Sequence, residues 1–466
     1  MLGGGPAGLG AAYRLACRQE FEVSLLERNP QVGGNAGSFE ISGIPVDFGS
    51  HRLHPSCHAS VLADIRSLLG DDLLERPRHG RILLRGRWLG FPLKPLDLAL
   101  KLPLGFILGV GADALKRLSG KRRSAGMESF ESVIRRGLGN TIAEEFYLPY
   151  AQKIWGLDPG RLSATQARRR VAAGSLTALV KKAVGGLLPS ARPKGRFFYY
   201  PRSGFGQISS AYAAAAEEAG AAILRGTSVT RIRQNRGVWH VEYEQDQTVG
   251  AIEADHVWST IPLSSLARCM EPAPPAEVLE SAAAISFRAM ILIYLTLSRP
   301  RFTEFDAHYF PGPEVIVSRI SEPKNYRGTP EPRERTVLCA ELPCSPEDRY
   351  WQMSDEELGR ETTLALEAAG LPVGNSVCGV LTRRLRYAYP IYESGYEEHF
   401  VRLENWLGRQ ENLISFGRQG LFAHDNTHHA LFMAYAAGEC LDARGQFDQR
   451  KWHEYLETFK SHVVED

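Results

Sequence analysis

The feature that most constrains this chain is its opening. Gly3-Gly-Gly5-Pro6-Ala7-Gly8 leads into an alanine- and leucine-rich helical run from Ala7 to Arg18; Phe21 to Leu26 then reads as a short buried strand, ending in Glu27. A glycine turn, a helix, a strand and a terminal acid in this order form a dinucleotide fingerprint. Gly5 lets a pyrophosphate approach the backbone, the helix N-terminus offers positive potential, and Glu27 accepts from a ribose hydroxyl. The bland alternative is a glycine-rich turn before a helix. Gly3, Gly5, Pro6, Ala7, Gly8 and Glu27 are therefore candidate cofactor contacts. Such a turn should follow a strand of about five residues, yet only Met1 and Leu2 precede Gly3. We expect the natural chain to begin several residues upstream.

Beyond Glu27 the sequence continues Glu27-Arg28-Asn-Pro-Gln-Val-Gly33-Gly34-Asn35. The whole pattern, GGGPAGLGAAYRLA…VSLLERNPQVGGNAGSF, resembles the superfamily of FAD-dependent amine oxidases, phytoene desaturases and protoporphyrinogen oxidases. It is also similar to the flavin-dependent UDP-galactopyranose mutases. The resemblance implies FAD as the cofactor, with Arg28, Gly33, Gly34 and Asn35 as further contacts, since an NAD dehydrogenase has no need of the second glycine pair.

Ser38 to Phe48 alternates around Ser42-Gly43 as a hairpin and ends in Asp47-Phe-Gly49-Ser-His51. In the related flavoproteins this resembles a D-x-G-x-H turn that meets the flavin ring, which makes Gly49 a contact and His51 a candidate flavin neighbour. His51, His54, Cys57 and His58 lack a zinc spacing, and Pro55 breaks any shared helix face, so no metal is expected. From Val61 to about Ala191 the chain reads as mostly helical. Leu102 to Val110 is apolar and is followed by Lys116 to Arg123, a basic cluster. The working expectation is a buried helix and a solvated loop; the alternative is a peripheral membrane contact.

Later segments carry the resemblance across nearly the whole chain. Tyr200-Pro201-Arg202-Ser-Gly204-Phe-Gly206 looks like the superfamily's turn into a helix, and Val229 matches the position that binds adenine through its backbone. Strands are expected at 290–297, 314–320 and 336–342. Leu413 to Asn426 is a strand, a glycine turn and a helix entry, where the family's C-terminal flavin motif places Gly417, Arg418 and Asn426. The expected architecture is α/β: a discontinuous Rossmann-type FAD-binding domain (1–60, 197–270 and 410–445), a helical substrate or cap region (61–196), a mixed α+β substrate domain with an antiparallel sheet (271–409), and a C-terminal helix (446–466).

Composition narrows the function. With 466 residues, 44% hydrophobic and 23% charged, the chain is globular and multidomain. Its net charge of +2 gives no reason to expect nucleic acid. Seven scattered cysteines with no C-x-x-C pair suit a reducing compartment, and with no signal peptide or spanning run visible a cytoplasmic protein is expected.

No acid–base pair stands out, as expected where the flavin does the chemistry and the protein orients it. One reading is an FAD oxidoreductase taking hydride from a small organic substrate. The other is a redox-neutral nucleotide-sugar mutase, because Arg170 and Arg319 match the arginines that grip a substrate diphosphate in the mutases, and Tyr326, Tyr389 and Asn426 match as well. His424, however, stands where those mutases align a tyrosine. A third reading is a flavin-binding protein without catalysis.

Overall fold

The computed structural model describes residues 1–91, 97, 100–118, 128–170, 197–329 and 331–464. A parallel sheet forms the cofactor half. Its order runs Ala222–Arg225, Ser24–Glu27, the Leu2 segment, Val257–Ser259 and Leu413–Ser415. Leu2 donates to the Trp258 carbonyl at 2.8 Å, and Leu26 donates to the Met1 carbonyl at 3.0 Å. Met1 and Leu2 thus hold the central position from which the glycine turn emerges. Segments far apart in sequence meet in this one sheet.

Helix Pro6–Ala16 packs against helices Gln207–Glu218 and Thr427–Glu439. Small residues permit this closeness: a Cβ on Gly10 would lie 2.9 Å from a Leu431 methyl. Ala7, Leu9, Ala11, Ala12 and Leu15 are all buried there. An antiparallel meander, Thr227–Asn235, Val238–Gln245 and Thr248–Ala254, covers the side of the sheet beside Ser24–Glu27.

The second half is built on a seven-stranded sheet in the order Val377–Ile391, Ser286–Leu297, Thr336–Cys344, Arg319–Ser321, Ala307–Tyr309, Gly80–Leu84, Arg87–Phe91. All neighbours are antiparallel except Ala307–Tyr309 with Gly80–Leu84. Two expectations change here. The early part of the 61–196 region is not helical throughout: Gly80–Phe91 is a hairpin added to the substrate sheet. Its turn is Arg85-Gly86, with φ of 50° and 69°, the geometry of a two-residue type I′ connection. The Ser42-Gly43 hairpin has the same turn, with φ of 51° and 78°. The strand expected over 314–320 shrinks to Arg319–Ser321, because the carbonyls before it turn toward the half-buried Lys153.

The helix Leu104–Leu118 also departs from the buried expectation. Leu104, Leu108 and Leu115 face solvent, while Asp113 turns inward and accepts from the Thr141 amide at 2.7 Å. Among the described residues no helix is long and apolar enough to cross a membrane.

Candidate functional site

Three glycine turns meet at the N-terminus of helix Pro6–Ala16. Gly3 has a φ of 99°, and a Cβ on Gly8 would lie 2.0 Å from the Gly3 carbonyl oxygen, so neither position accepts a side chain without strain. Gly33 donates to the Gly4 carbonyl at 2.7 Å, which seats the second glycine pair on the first. Gly417, at φ 80°, is close enough that its Cβ would stand 2.7 Å from that of Ala7. Helix N-termini leave amides without intrahelical partners, and Pro6 at the first position removes one of them. Glu27 is buried at the strand end, accepting from the Gly4 amide at 2.7 Å and from the Asn29 amide at 2.8 Å. Arg28 is exposed beside it, and Val229 lies on the neighbouring meander strand opposite Tyr243.

The Asp47-Phe-Gly49-Ser-His51 turn is held by its acid. Asp47 accepts from the Ser38 hydroxyl at 2.6 Å, the Tyr200 hydroxyl at 2.6 Å and the Phe205 amide at 2.8 Å. Burial pushes its pKa up to about 6, although these three donors pull the other way. His51 stacks on Phe205 with ring centres 5.2 Å apart and planes at 22°. Burial, and then the charges of Arg319 and Arg418, hold its pKa down to about 3, so the imidazole is neutral. The Ser50 amide donates to Glu341 at 2.7 Å, and the same carboxylate takes Arg319 through both oxygens at 2.8 Å.

Around this turn the remaining candidates separate. Tyr389 and His424 stack at 4.9 Å, Trp155 meets His424 edge-on at 6.3 Å, and the Arg418 guanidinium lies 5.3 Å from the Tyr389 ring centre. Arg418 also donates to the Asp425 carbonyl at 2.8 Å and the Ala388 carbonyl at 2.6 Å. Asn35 and Gln419 both donate to the Tyr387 carbonyl, at 2.8 Å and 2.6 Å, drawing the second glycine pair, the 387–389 segment and the late turn together. Asn426 caps helix Thr427–Glu439 in a reciprocal box with His429. Tyr326 is buried beneath the turn, its hydroxyl on Ser50 and 3.2 Å from Arg52. The Arg170 side chain lies outside the described residues.

A family model described as flavin containing amine oxidoreductase matches residues 6–406. The chain belongs to that family. Its cofactor is FAD. Chloroplastic protoporphyrinogen oxidase of Nicotiana tabacum is 24% identical over 291 residues, 58% of this chain and 52% of the tobacco protein. Polyamine oxidase 4 of Oryza sativa subsp. japonica is 37% identical over 70 residues, 15% of this chain and 14% of the rice protein. The chain thus spans about half, or less, of the length of the curated relatives it matches. Among solved structures, a reduced UDP-galactopyranose mutase superposes with a TM-score of 0.80 at 20% identity, covering 98% of this chain and 96% of that one. A putrescine oxidase superposes with a TM-score of 0.64 at 17% identity, covering 94% and 97%. At these identities the likeness describes the fold.

The residues present fit the flavin dinucleotide. A Cβ on Gly5 would find only the Gly34 Cα, at 4.0 Å, so bare backbone is open where a diphosphate would lie, and the buried Glu27 carboxylate stands at the strand end beside it. The bound FAD would supply the electron-accepting ring; the glycine turns and Glu27 would hold its diphosphate and ribose.

Several partners of this site carried no assignment in the sequence. Asp47 stood in a quoted motif without a role, and Lys153 lay within the 61–196 region with none. Lys153 donates to the carbonyls of Phe310 at 2.6 Å and Val315 at 2.8 Å, and also to that of Gly312, and burial lowers its pKa to about 8. Asp425, His429 and His462 bring ligand-type atoms within 4.8 Å of one another, with His462 2.7 Å from the Asp425 carboxylate. Burial would raise the Asp425 pKa, but the His462 contact and the nearby His429 and Arg169 outweigh it and lower it. This cluster ties the C-terminal residues to the late turn.

Proposed function

We propose that this protein is an FAD-dependent oxidoreductase that removes hydride from a small organic substrate. The observation that supports it best is the charge around His51. Arg319, paired with the buried Glu341, and Arg418 both act on this ring, and the imidazole stays neutral. The Glu341 carboxylate offsets the Arg319 charge, so the positive potential rests on Arg418; such potential in a buried site favours an electron acceptor, because reduction adds negative charge. FAD would supply the two-electron chemistry. The chain supplies orientation: Phe205 fixes His51 by stacking, Glu341 fixes Arg319, and two backbone carbonyls fix Arg418. The stacked Tyr389 and His424, with Trp155 at their edge, give a flat wall that sheds water from the reacting side.

A nucleotide-sugar mutase is the second reading, favoured by the backbone likeness to the reduced mutase over 98% of the chain. Its diphosphate clamp would draw on Arg170 and Arg319. Arg319 is already committed to Glu341, with side-chain exposures of 13% and 4%, so a diphosphate would have to compete with a buried carboxylate. The oxidoreductase reading therefore stands first.

The test is anaerobic mixing of the FAD-loaded protein with amines and porphyrinogens, the substrate types named by its relatives. Bleaching of the oxidised flavin band, reversed by an acceptor such as oxygen, is expected with at least one. Ring interconversion of UDP-galactopyranose only with dithionite-reduced flavin, and without net oxidation, would overturn the proposal.

A further inference from the structure

Among the described residues, nine large apolar side chains stay exposed, and five of them fall between Leu100 and Leu115. On helix Leu104–Leu118 the exposed set is Leu104 (69%), Ile107 (37%), Leu108 (63%) and Leu115 (69%), recurring at the helical period as one stripe. The inner face is the unusual one. Gly109 lies against Thr141, where a Cβ would stand 2.7 Å from its hydroxyl, and the buried Asp113 takes the Thr141 amide. Packing therefore fixes the rotation of the helix and forces the leucines outward. A surface helix of a globular protein normally shows the reverse pattern, and a contiguous exposed apolar stripe marks an interaction surface.

The charges say what covers it. Between residues 91 and 127 the sequence carries seven basic residues, from Lys94 to Arg123, and two acids, Asp97 and Asp113. Asp97 is paired with Lys101 at 2.6 Å, and Asp113 points into the protein. In sequence, then, the stripe lies in a stretch with an excess of five basic residues, and the one acid of the helix is directed inward. At 15 residues the helix is about 22 Å long, too short to span a bilayer but suited to lying in its interface.

We propose that helix Leu104–Leu118 docks this flavoprotein on an anionic membrane surface, with the leucine stripe entering the acyl boundary and the basic sequence of this stretch supplying the attraction to anionic lipid. Basic residues near an anionic surface and buried apolar area add to each other in such binding.

The experiment is flotation of the FAD-loaded protein with phosphatidylglycerol–phosphatidylcholine vesicles and, separately, with pure phosphatidylcholine vesicles. Flotation with the anionic vesicles is expected, weakening as salt is raised. The variant Leu104→Ser/Leu108→Ser/Leu115→Ser should lose about a thousandfold in partitioning, at about tenfold per leucine. The control Leu364→Ser, at an exposed leucine elsewhere, should lose none. Unchanged flavin absorbance and circular dichroism establish that the triple variant is folded. Three results would overturn the proposal: no flotation at low salt, equal and salt-insensitive flotation with neutral vesicles, or a stripe whose loss changes only the oligomeric mass, which would assign the face to a second copy of the chain.

Discussion

Asp47→Ala should destabilise the protein by about 2–6 kcal/mol and loosen His51. Three donors converge on this carboxylate. The Ser38 hydroxyl can turn to another acceptor, but the buried Tyr200 hydroxyl and Phe205 amide cannot, and each orphaned buried donor costs about 1–3 kcal/mol. Phe205 carries the stack with His51, so release of its amide also frees the imidazole. Asp47→Asn separates charge from hydrogen bonding. The Asp47 pKa rises from 3.8 to about 6 on folding, so the folded state binds the proton more tightly. The stabilisation from that proton is complete below the unfolded value and is lost as pH climbs through the folded one. A rise of about two units corresponds to about 3 kcal/mol. Asparagine does not titrate, so the advantage of wild type over Asp47→Asn should shrink by about 3 kcal/mol between about pH 4 and about pH 7. Urea unfolding of both proteins, followed by tryptophan fluorescence across that range, measures it. A difference that stays flat, or grows with pH, would mean that the three donors outweigh burial and that the acid is ionised throughout.

Other outcomes follow from the same contacts. Gly8→Ala places a methyl group 2.0 Å from the Gly3 carbonyl and should abolish FAD retention; visible absorbance of the purified variant checks this. Glu27→Gln keeps one acceptor oxygen but loses the charge beside the glycine turn, and should weaken FAD binding about tenfold, read by titration of the apoprotein. Lys153→Met strips a shared donor from the Phe310, Gly312 and Val315 carbonyls, and should make the 310–317 segment open to proteolysis while the flavin stays bound.

What could be read in the sequence was local chemistry. The glycine turns, the strand ending in Glu27 and the Ser42-Gly43 hairpin each depend on backbone geometry set by a few adjacent residues, and the structure forms all three. The Gly80–Phe91 hairpin was missed because it pairs with Ala307–Tyr309, a strand far away in the sequence, so its helical setting in the sequence misled. The shortened strand before Arg319 has the same cause: Lys153, distant in sequence, takes the carbonyls. Arg319 resembled a diphosphate-gripping arginine, yet the register between Arg319–Ser321 and Thr336–Cys344 sets it opposite Glu341. The apolar run at Leu102 to Val110 gave no sign of which face points inward. That was decided by Asp113 and Thr141.

The central claim is that the Gly3–Gly8 turn, Glu27, the Gly33-Gly34 pair and the Gly417 turn enclose one FAD. It is tested most directly by denaturing the purified protein after incubation with excess FAD and gel filtration, then quantifying the released flavin. The account predicts about one FAD per chain in the wild type, and little in Gly8→Ala and Gly417→Ala, whose added methyls fall on the Gly3 carbonyl and the Ala7 Cβ. A folded wild-type protein that emerges colourless, or glycine variants that keep full flavin, would contradict it.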